Sequence, residues 1–372
     1  MMLYKIPLIG ANTGNVEAFP GYLQRVANIH GISTRKLFQV LGDINVAKKI
    51  SPYSVKIDHF SLDGLLVDNV CVSIYLSILE SEIGISLKSS TFEVLKHFLD
   101  VGKTISRTRR WCPECFADSL DADADPYIKL LWYFKEVTHC PLHLTPLISR
   151  CARCNSAQGN RCTKAAPYIC GSCNQLLSDR GLIDTSTYAP SWRVSGTDLV
   201  RFLAQLNQCD LDESIFKFGL KKSICDFSYY CTDIQFEQAY RYCWSHRAVR
   251  EMIWGYTPIT LKAVRKISYL CGVDIFDFVS GNIKNVSKYF DWEKKLPHPY
   301  ASPPKDVALK HLNNRGKIHE LIMGNSGLSM DEVARLTDLS KEYMEYFFPD
   351  ITAKIEYDFS RKSAFDVSQR RK

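Results

Sequence analysis

Between residues 112 and 173, Cys-x-x-Cys-type turns recur in an order that leaves the chain few ways to fold. The first set is Cys112-Pro113-Glu114-Cys115, then 24 residues, then Cys140-Pro141-Leu142-His143. The second is Cys151-Ala152-Arg153-Cys154, then 15 residues, then Cys170-Gly171-Ser172-Cys173. One such turn brings two ligands within reach of a tetrahedral ion, and a second turn supplies the other two. The second set has the spacing of known zinc sites, and Gly171 suits the tight turn of a knuckle. The pattern predicts two structural Zn²⁺ ions, one at Cys112, Cys115, Cys140 and His143, the other at Cys151, Cys154, Cys170 and Cys173. Each would have four protein ligands and no open position for water, which argues against zinc hydrolysis. The plainer alternative is reduced buried cysteines or a redox pair. His139 is a possible substitute for His143, although only His143 keeps the two-residue spacing. Spacing alone also permits Cys112 and Cys115 to pair with Cys151 and Cys154.

The surroundings suit metal rather than disulfides. No run of 18 apolar residues exists, so no membrane span is expected. The opening Met1-Met2-Leu3-Tyr4-Lys5-Ile6-Pro7 is too short and too broken for a secretory signal. These features predict a cytoplasmic protein, where cysteines at such spacing bind metal. Cys162 and the six other cysteines read as ordinary core or surface residues. The formal charge of +7 falls to about +4 once seven thiolates and two Zn²⁺ are counted. That permits nucleic-acid binding without demanding it. Residues 111–190 carry 7 Lys/Arg against 8 Asp/Glu, so the basic excess lies outside the zinc region. This region therefore reads as a scaffold or protein-contact element.

The flanks read as helical. The expected fold is mainly α, with helix-turn-helix-like helical domains on either side of a central double zinc-knuckle, or zinc-ribbon-like, region. Residues 1–110 form the first domain. Pro20 suits a first helical turn, and Phe19, Tyr22, Leu23, Val26 and Ala27 repeat at helical spacing. Gly31 ends that helix, and Ser33 caps a second that buries Leu37, Val40 and Leu41. The pair is a helix-turn-helix or a plain αα-hairpin. Lys103 to Arg110, with four basic residues, reads as a solvated linker. Residues 111–185 hold the zinc region, with a compact helix expected near Tyr127–Lys135 and an exposed acidic loop at Asp121, Asp123 and Asp125 before it.

Residues 186–295 read as a helical basic domain of repressor-like helix-turn-helix type. Ser245 caps a short helix carrying His246, Arg247 and Arg250, and Thr260 caps another with Leu261, Val264, Ile267 and Leu270 on its buried face. On this reading Arg247 and Arg250 contact bases or phosphates, and Lys262, Arg265 and Lys266 touch the backbone. The competing reading is a helical bundle whose arginines face solvent. Residues 296–372 comprise a proline-rich linker, a helical pair at 317–348 and a polar tail expected to be disordered from Arg361. In that pair Ser329 and Ser340 cap successive helices, but the second carries Glu342 and Glu345. Acidic residues repel phosphate, which favours protein contact or packing there.

Several of these residues resemble one family. They are Trp111-Cys112-Pro113-Glu114-Cys115, Trp132-Tyr133-Phe134, Thr138-His139-Cys140-Pro141-Leu142-His143 with Pro146-Leu147, and Cys151-Ala152-Arg153-Cys154. Together with Glu17-Ala18-Phe19-Pro20-Gly21-Tyr22-Leu23 and Gly31-Ile32-Ser33, they resemble the TniQ/TnsD family of transposon target-selection proteins. That family usually shows Glu-Ser where this chain has Glu17-Ala18. The resemblance spans about residues 5–185. It implies a non-catalytic adaptor in DNA transposition that links a target-recognition complex to an AAA+ regulator. In some members the target complex is a CRISPR RNA-guided effector, and the protein is often a homodimer. TnsD-like members instead read an attachment site in DNA directly, and that is the alternative function. A nuclease or transposase would need carboxylates gathered on a strand-rich core, and no such set stands out.

Overall fold

The computed structural model describes residues 3–51, 65–66, 70–159, 166–179, 196–208, 213–230, 259–271, 273–283, 305–325 and 327–370. The chain divides into two compact units, residues 1–297 and 298–372. Among the described residues the structure is helical, and extended segments meet only as isolated β-bridges. None of these helices is long and apolar enough to cross a membrane.

The first unit begins with α1 (Phe19–Ile29) and α2 (Thr34–Lys48). Ala18 is extended and sends its N–H to the Ile128 carbonyl, and Pro20 occupies the first turn of α1. Phe19, Tyr22, Leu23 and Val26 are fully buried along one side. Gly31 turns the chain at φ +64°, and the Ser33 hydroxyl accepts the Lys36 N–H to start α2. Leu37 and Leu41 are buried, as the capping pattern requires. Helix α3 (Val70–Ile83) buries Val72, Ile74, Tyr75, Leu76, Ile78 and Leu79. A helix apolar on most sides must be interior, and Phe38 of α2 packs its ring on Tyr75.

Short α4 (Val101–Thr104) and α5 (Pro113–Asp121) lead into the cysteine-rich region. Later come α6 (Thr197–Gln208), α7 (Glu213–Tyr230), α8 (Leu261–Cys271) and α9 (Ile275–Ser280). The segments 1–110, 111–185 and 186–295 share one hydrophobic core, from Leu3 through Trp111, Trp132 and Phe134 to Phe278. Backbone bonds join them: Asp100 N–H donates to Ile259 O at 2.7 Å, and Lys135 N–H to Thr104 O at 2.9 Å. Helices α7 and α9 touch where Gly219 faces Gly281, which has φ +77°. A Cβ on Gly281 would lie 2.8 Å from the Gly219 Cα, so both positions require glycine for the close approach.

Two expectations for this unit need correction. The helix expected near Tyr127–Lys135 is a single 3-10 turn, Leu130–Tyr133, because the chain before it is extended, with Glu17 bridging to Lys129. The run from Lys103 to Arg110 is only in part the solvated linker expected: Lys103 and Arg107 are exposed, but the last two arginines are not. Arg109 is 2% exposed and donates to Gln24 Oε1 at 2.6 Å, and Arg110 donates to the carbonyls of Val137 and Phe134. Their charges are tolerated there because polar oxygens receive part of each guanidinium. Burial lowers the Arg110 guanidinium to about 10.

The second unit contains α10 (Lys305–Gly324), α11 (Met330–Thr337), α12 (Lys341–Phe347) and α13 (Pro349–Arg370). Ser329 and Glu332 form a reciprocal capping box, Asp338 turns the chain at φ +53°, and Ser340 caps α12. Ile318, Ile322, Val333, Met344, Phe348, Ile351 and Ile355 form its core. The tail is not disordered from Arg361, since α13 continues to Arg370. Ile351 and Ile355 anchor one face of its first turns, and no proline or glycine interrupts it afterwards.

Candidate metal centres

Three turns with one geometry carry six of the eight clustered ligands. In each, the leading cysteine donates its N–H to the carbonyl five residues on and receives the N–H of the residue four on. The pairs are Cys140 with Thr145 and Leu144, Cys151 with Ser156 and Asn155, and Cys170 with Gln175 and Asn174. The fourth residue after each leading cysteine has positive φ: Leu144 +58°, Asn155 +56° and Asn174 +57°. Cys112 and Cys115 are held differently. Cys112 Sγ accepts the Cys115 N–H and caps α5, whose second residue after the cap is Glu114.

Each cluster gathers its own four residues. Cys112, Cys115, Cys140 and His143 form one group and Cys151, Cys154, Cys170 and Cys173 the other, with the ligand atoms of each within 4.8 Å of one another. Pairing across the clusters is therefore not the arrangement here. His143, rather than His139, faces the sulfurs, and the His139 ring nitrogen instead meets the Thr138 hydroxyl at 2.8 Å.

The distances test the fit. A tetrahedron on Zn–S bonds of about 2.3 Å and Zn–N bonds of about 2.0 Å has S–S edges near 3.8 Å and S–N edges near 3.5 Å. Cys115 and Cys140 sulfurs lie 3.6 Å apart, Cys151 and Cys173 3.7 Å, and Cys154 and Cys170 3.6 Å. His143 Nδ1 lies 3.5, 3.3 and 3.6 Å from the sulfurs of Cys112, Cys115 and Cys140. A disulfide would bring two sulfurs to about 2.05 Å. Both clusters can thus hold a metal ion, and their donor sets and spacing are compatible with zinc.

Side chains around the ligands complete the first centre. His143 Nε2 meets Asp118 Oδ2 of α5 at 2.7 Å, which fixes the ring with Nδ1 toward the sulfurs. Lys129 Nζ lies 3.5 Å from Cys115 Sγ. Burial would lower the Lys129 ammonium, but Cys115, Tyr127 and Cys140 together more than offset this and raise it. In the second centre Gln158 donates Nε2 to Cys170 Sγ at 3.3 Å, and its Oε1 accepts the Gly171 N–H. Cys154 is exposed, and the Ser156 backbone N–H pulls its thiol down to about 6. Asp118, Lys129 and Gln158 escaped the sequence reading. A helix starting at Pro113 would have placed Asp118 one turn beyond Cys115, but the acidic run after it reads as a loop.

The nucleic-acid residues fare unevenly. Arg247 and Arg250 lie outside the described residues. Lys262 and Lys266 are half-buried on α8. Arg265 is corrected: it is 2% exposed, with Nε and Nη2 donating to Asp198 at 2.7 and 2.8 Å. A guanidinium buried and paired in this way is a packing element and has no face for phosphate.

No curated protein matches the chain. Residues 8–147 match the TniQ family. The matched stretch holds α1, α2 and the complete first metal cluster, but it ends before Cys151–Cys154, which the sequence resemblance includes. Residues 8–147 are thus a TniQ domain, which indicates a part in transposition target selection.

Proposed function

We propose that this chain is a non-catalytic adaptor of transposition, joining a target-recognition complex to an AAA+ regulator. Its two metal clusters hold zinc for structure. The observation that carries this reading is the closure of the first cluster inside the TniQ domain: four protein ligands, three of them buried, surround one point. Such a site supplies folding energy and rigidity rather than an activated water. A rigid body built around two such sites presents fixed surfaces, which is what bridging two partners requires. The target complex is an RNA-guided effector or DNA itself, and a homodimer would let two weak contacts act as one stronger contact. The test is a reconstituted insertion reaction with the chain omitted and then restored. Omission abolishes targeted insertion, and the chain alone neither cuts nor joins DNA. Strand cleavage by the chain alone, lost on changing an acidic residue, would overturn the adaptor reading.

The second reading is a direct reader of target DNA. Arg247 and Arg250 support it by sequence alone, as part of a basic stretch that follows Ser245. Changing both to Glu should weaken binding and lower its salt dependence by about one unit of slope for each lost phosphate contact. Unchanged binding across several salt concentrations would remove those two residues from the interface.

A further inference from the structure

The three matched knuckles differ in what they show to solvent. In the two that hold the second centre, the exposed middle and fourth positions are polar: Arg153 and Asn155 in one, Ser172 and Asn174 in the other. Asparagine is well suited to the left-handed backbone at the fourth position. The knuckle at Cys140 places leucines at both points. Leu142 is 70% exposed and Leu144 49% exposed. Leu144 takes the same left-handed conformation, at φ +58°, without the local hydrogen bonding that eases it for asparagine. The turn therefore does not explain the leucine, and neither does burial.

An acidic surface adjoins this tip. Asp118, on α5, bonds to His143, the residue between the two leucines. Glu114, Asp118 and Asp121 fall at helical spacing along one face of α5, and Asp121, Asp123 and Asp125 are exposed in and after its last turn. Glu114 suits the first turn of α5 and Asp118 holds His143, but like charges at that spacing weaken the helix slightly and Asp121, in the last turn, adds no support to it. DNA and RNA would be repelled here.

We infer that the Leu142–Leu144 tip is a docking point for a protein segment that presents an apolar side chain flanked by Lys or Arg. The two leucines receive the apolar side chain, and the α5 carboxylates meet the cations at the rim. Apolar contact then carries affinity, and charge complementarity carries selection and encounter rate. This surface stands whether or not the chain bridges two transposition partners.

The test uses the full chain in cells that express it with its neighbouring genes. Leu142 is replaced by the photo-crosslinker p-benzoylphenylalanine, and the joined peptide is read by mass spectrometry. The expected adduct is a segment of another protein with at least two Lys or Arg within about a turn of a large apolar residue. That segment, made as a peptide, is titrated onto the purified chain. Leu142→Ser with Leu144→Asn should raise Kd about tenfold or more. Asparagine fills the same turn position in the other two knuckles, so metal content should not change. Asp121→Asn with Asp123→Asn should raise Kd about threefold and reduce its salt dependence. Asp118 is left in place because it holds His143. An adduct to DNA, to a second copy of this chain or to an acidic segment would overturn the inference. So would the lack of any adduct, or variants that bind like the parent.

Discussion

Replacing Asp118 by Ala should loosen one metal and leave the other alone. Asp118 Oδ2 accepts from His143 Nε2 at 2.7 Å, while Nδ1 of the same ring lies within 3.6 Å of three sulfurs. The carboxylate therefore fixes the ring's orientation and tautomer and makes Nδ1 a better donor. Losing such an outer partner costs roughly 10- to 100-fold in metal affinity. The Asp118 side chain is 61% exposed, so water can replace part of the lost bond. The low end applies: about tenfold, equivalent to about 1.4 kcal/mol. Alanine is a better helix former than aspartate, so α5 itself should not suffer. Asp118→Asn keeps an acceptor without the charge and should fall between parent and Ala. The assay is competition with a chromogenic chelator, following two release steps. One step should shift about tenfold in the variant, and the step from Cys151, Cys154, Cys170 and Cys173 should stay put. Equal shifts in both steps, or none, would refute the coupling of Asp118 to His143.

Three further outcomes are expected. The purified chain should carry two zinc ions, and Cys170→Ser should reduce this to one by elemental analysis; two ions in that variant would mean the second cluster is misassigned. Asp198→Ala leaves the buried Arg265 guanidinium without its carboxylate and should cost about 3 kcal/mol in denaturant unfolding; Arg265→Met in that background should restore much of the loss. Gly219→Ala would set a Cβ within 2.6 Å of the Val279 carbonyl, forcing α7 from α9, and should cost about 1–3 kcal/mol; unchanged melting would contradict the close approach.

The ligand sets were legible in sequence because coordination chemistry fixes both residue type and spacing. The first two helices were legible because Pro20, Gly31 and Ser33 act on the backbone locally. Helix α5 was not, since its cap is the Cys112 sulfur rather than a Ser, Thr, Asn or Asp. The buried arginines were hidden for a different reason. Arg109 finds Gln24 85 residues away, and Arg265 finds Asp198 67 residues away. A basic run looks solvated until its distant acceptors are known. The same limit explains why three segments of different composition proved to share one core: the bond that joins the first to the third, Asp100 to Ile259, spans more than a hundred residues of sequence.

Trp111 and Ala18 wait for residues made much later. Trp111 exchanges backbone bonds with Ile148 and sends its indole N–H to Leu177 O, while the start of α1 rests on Ile128. A ribosome adding roughly 5–20 residues per second needs about 5–20 s to pass from Ala18 to Ile128. Throughout that interval Phe19, Tyr22 and Leu23 emerge without the surface that later covers them. On the zinc reading proposed above, closing the first cluster depends on capturing a metal ion, so the supply of free zinc would set how long the nascent amino terminus stays open to chaperones and proteases. Zinc starvation should accordingly appear first as less of this protein in the cell, before any change in how each finished molecule behaves.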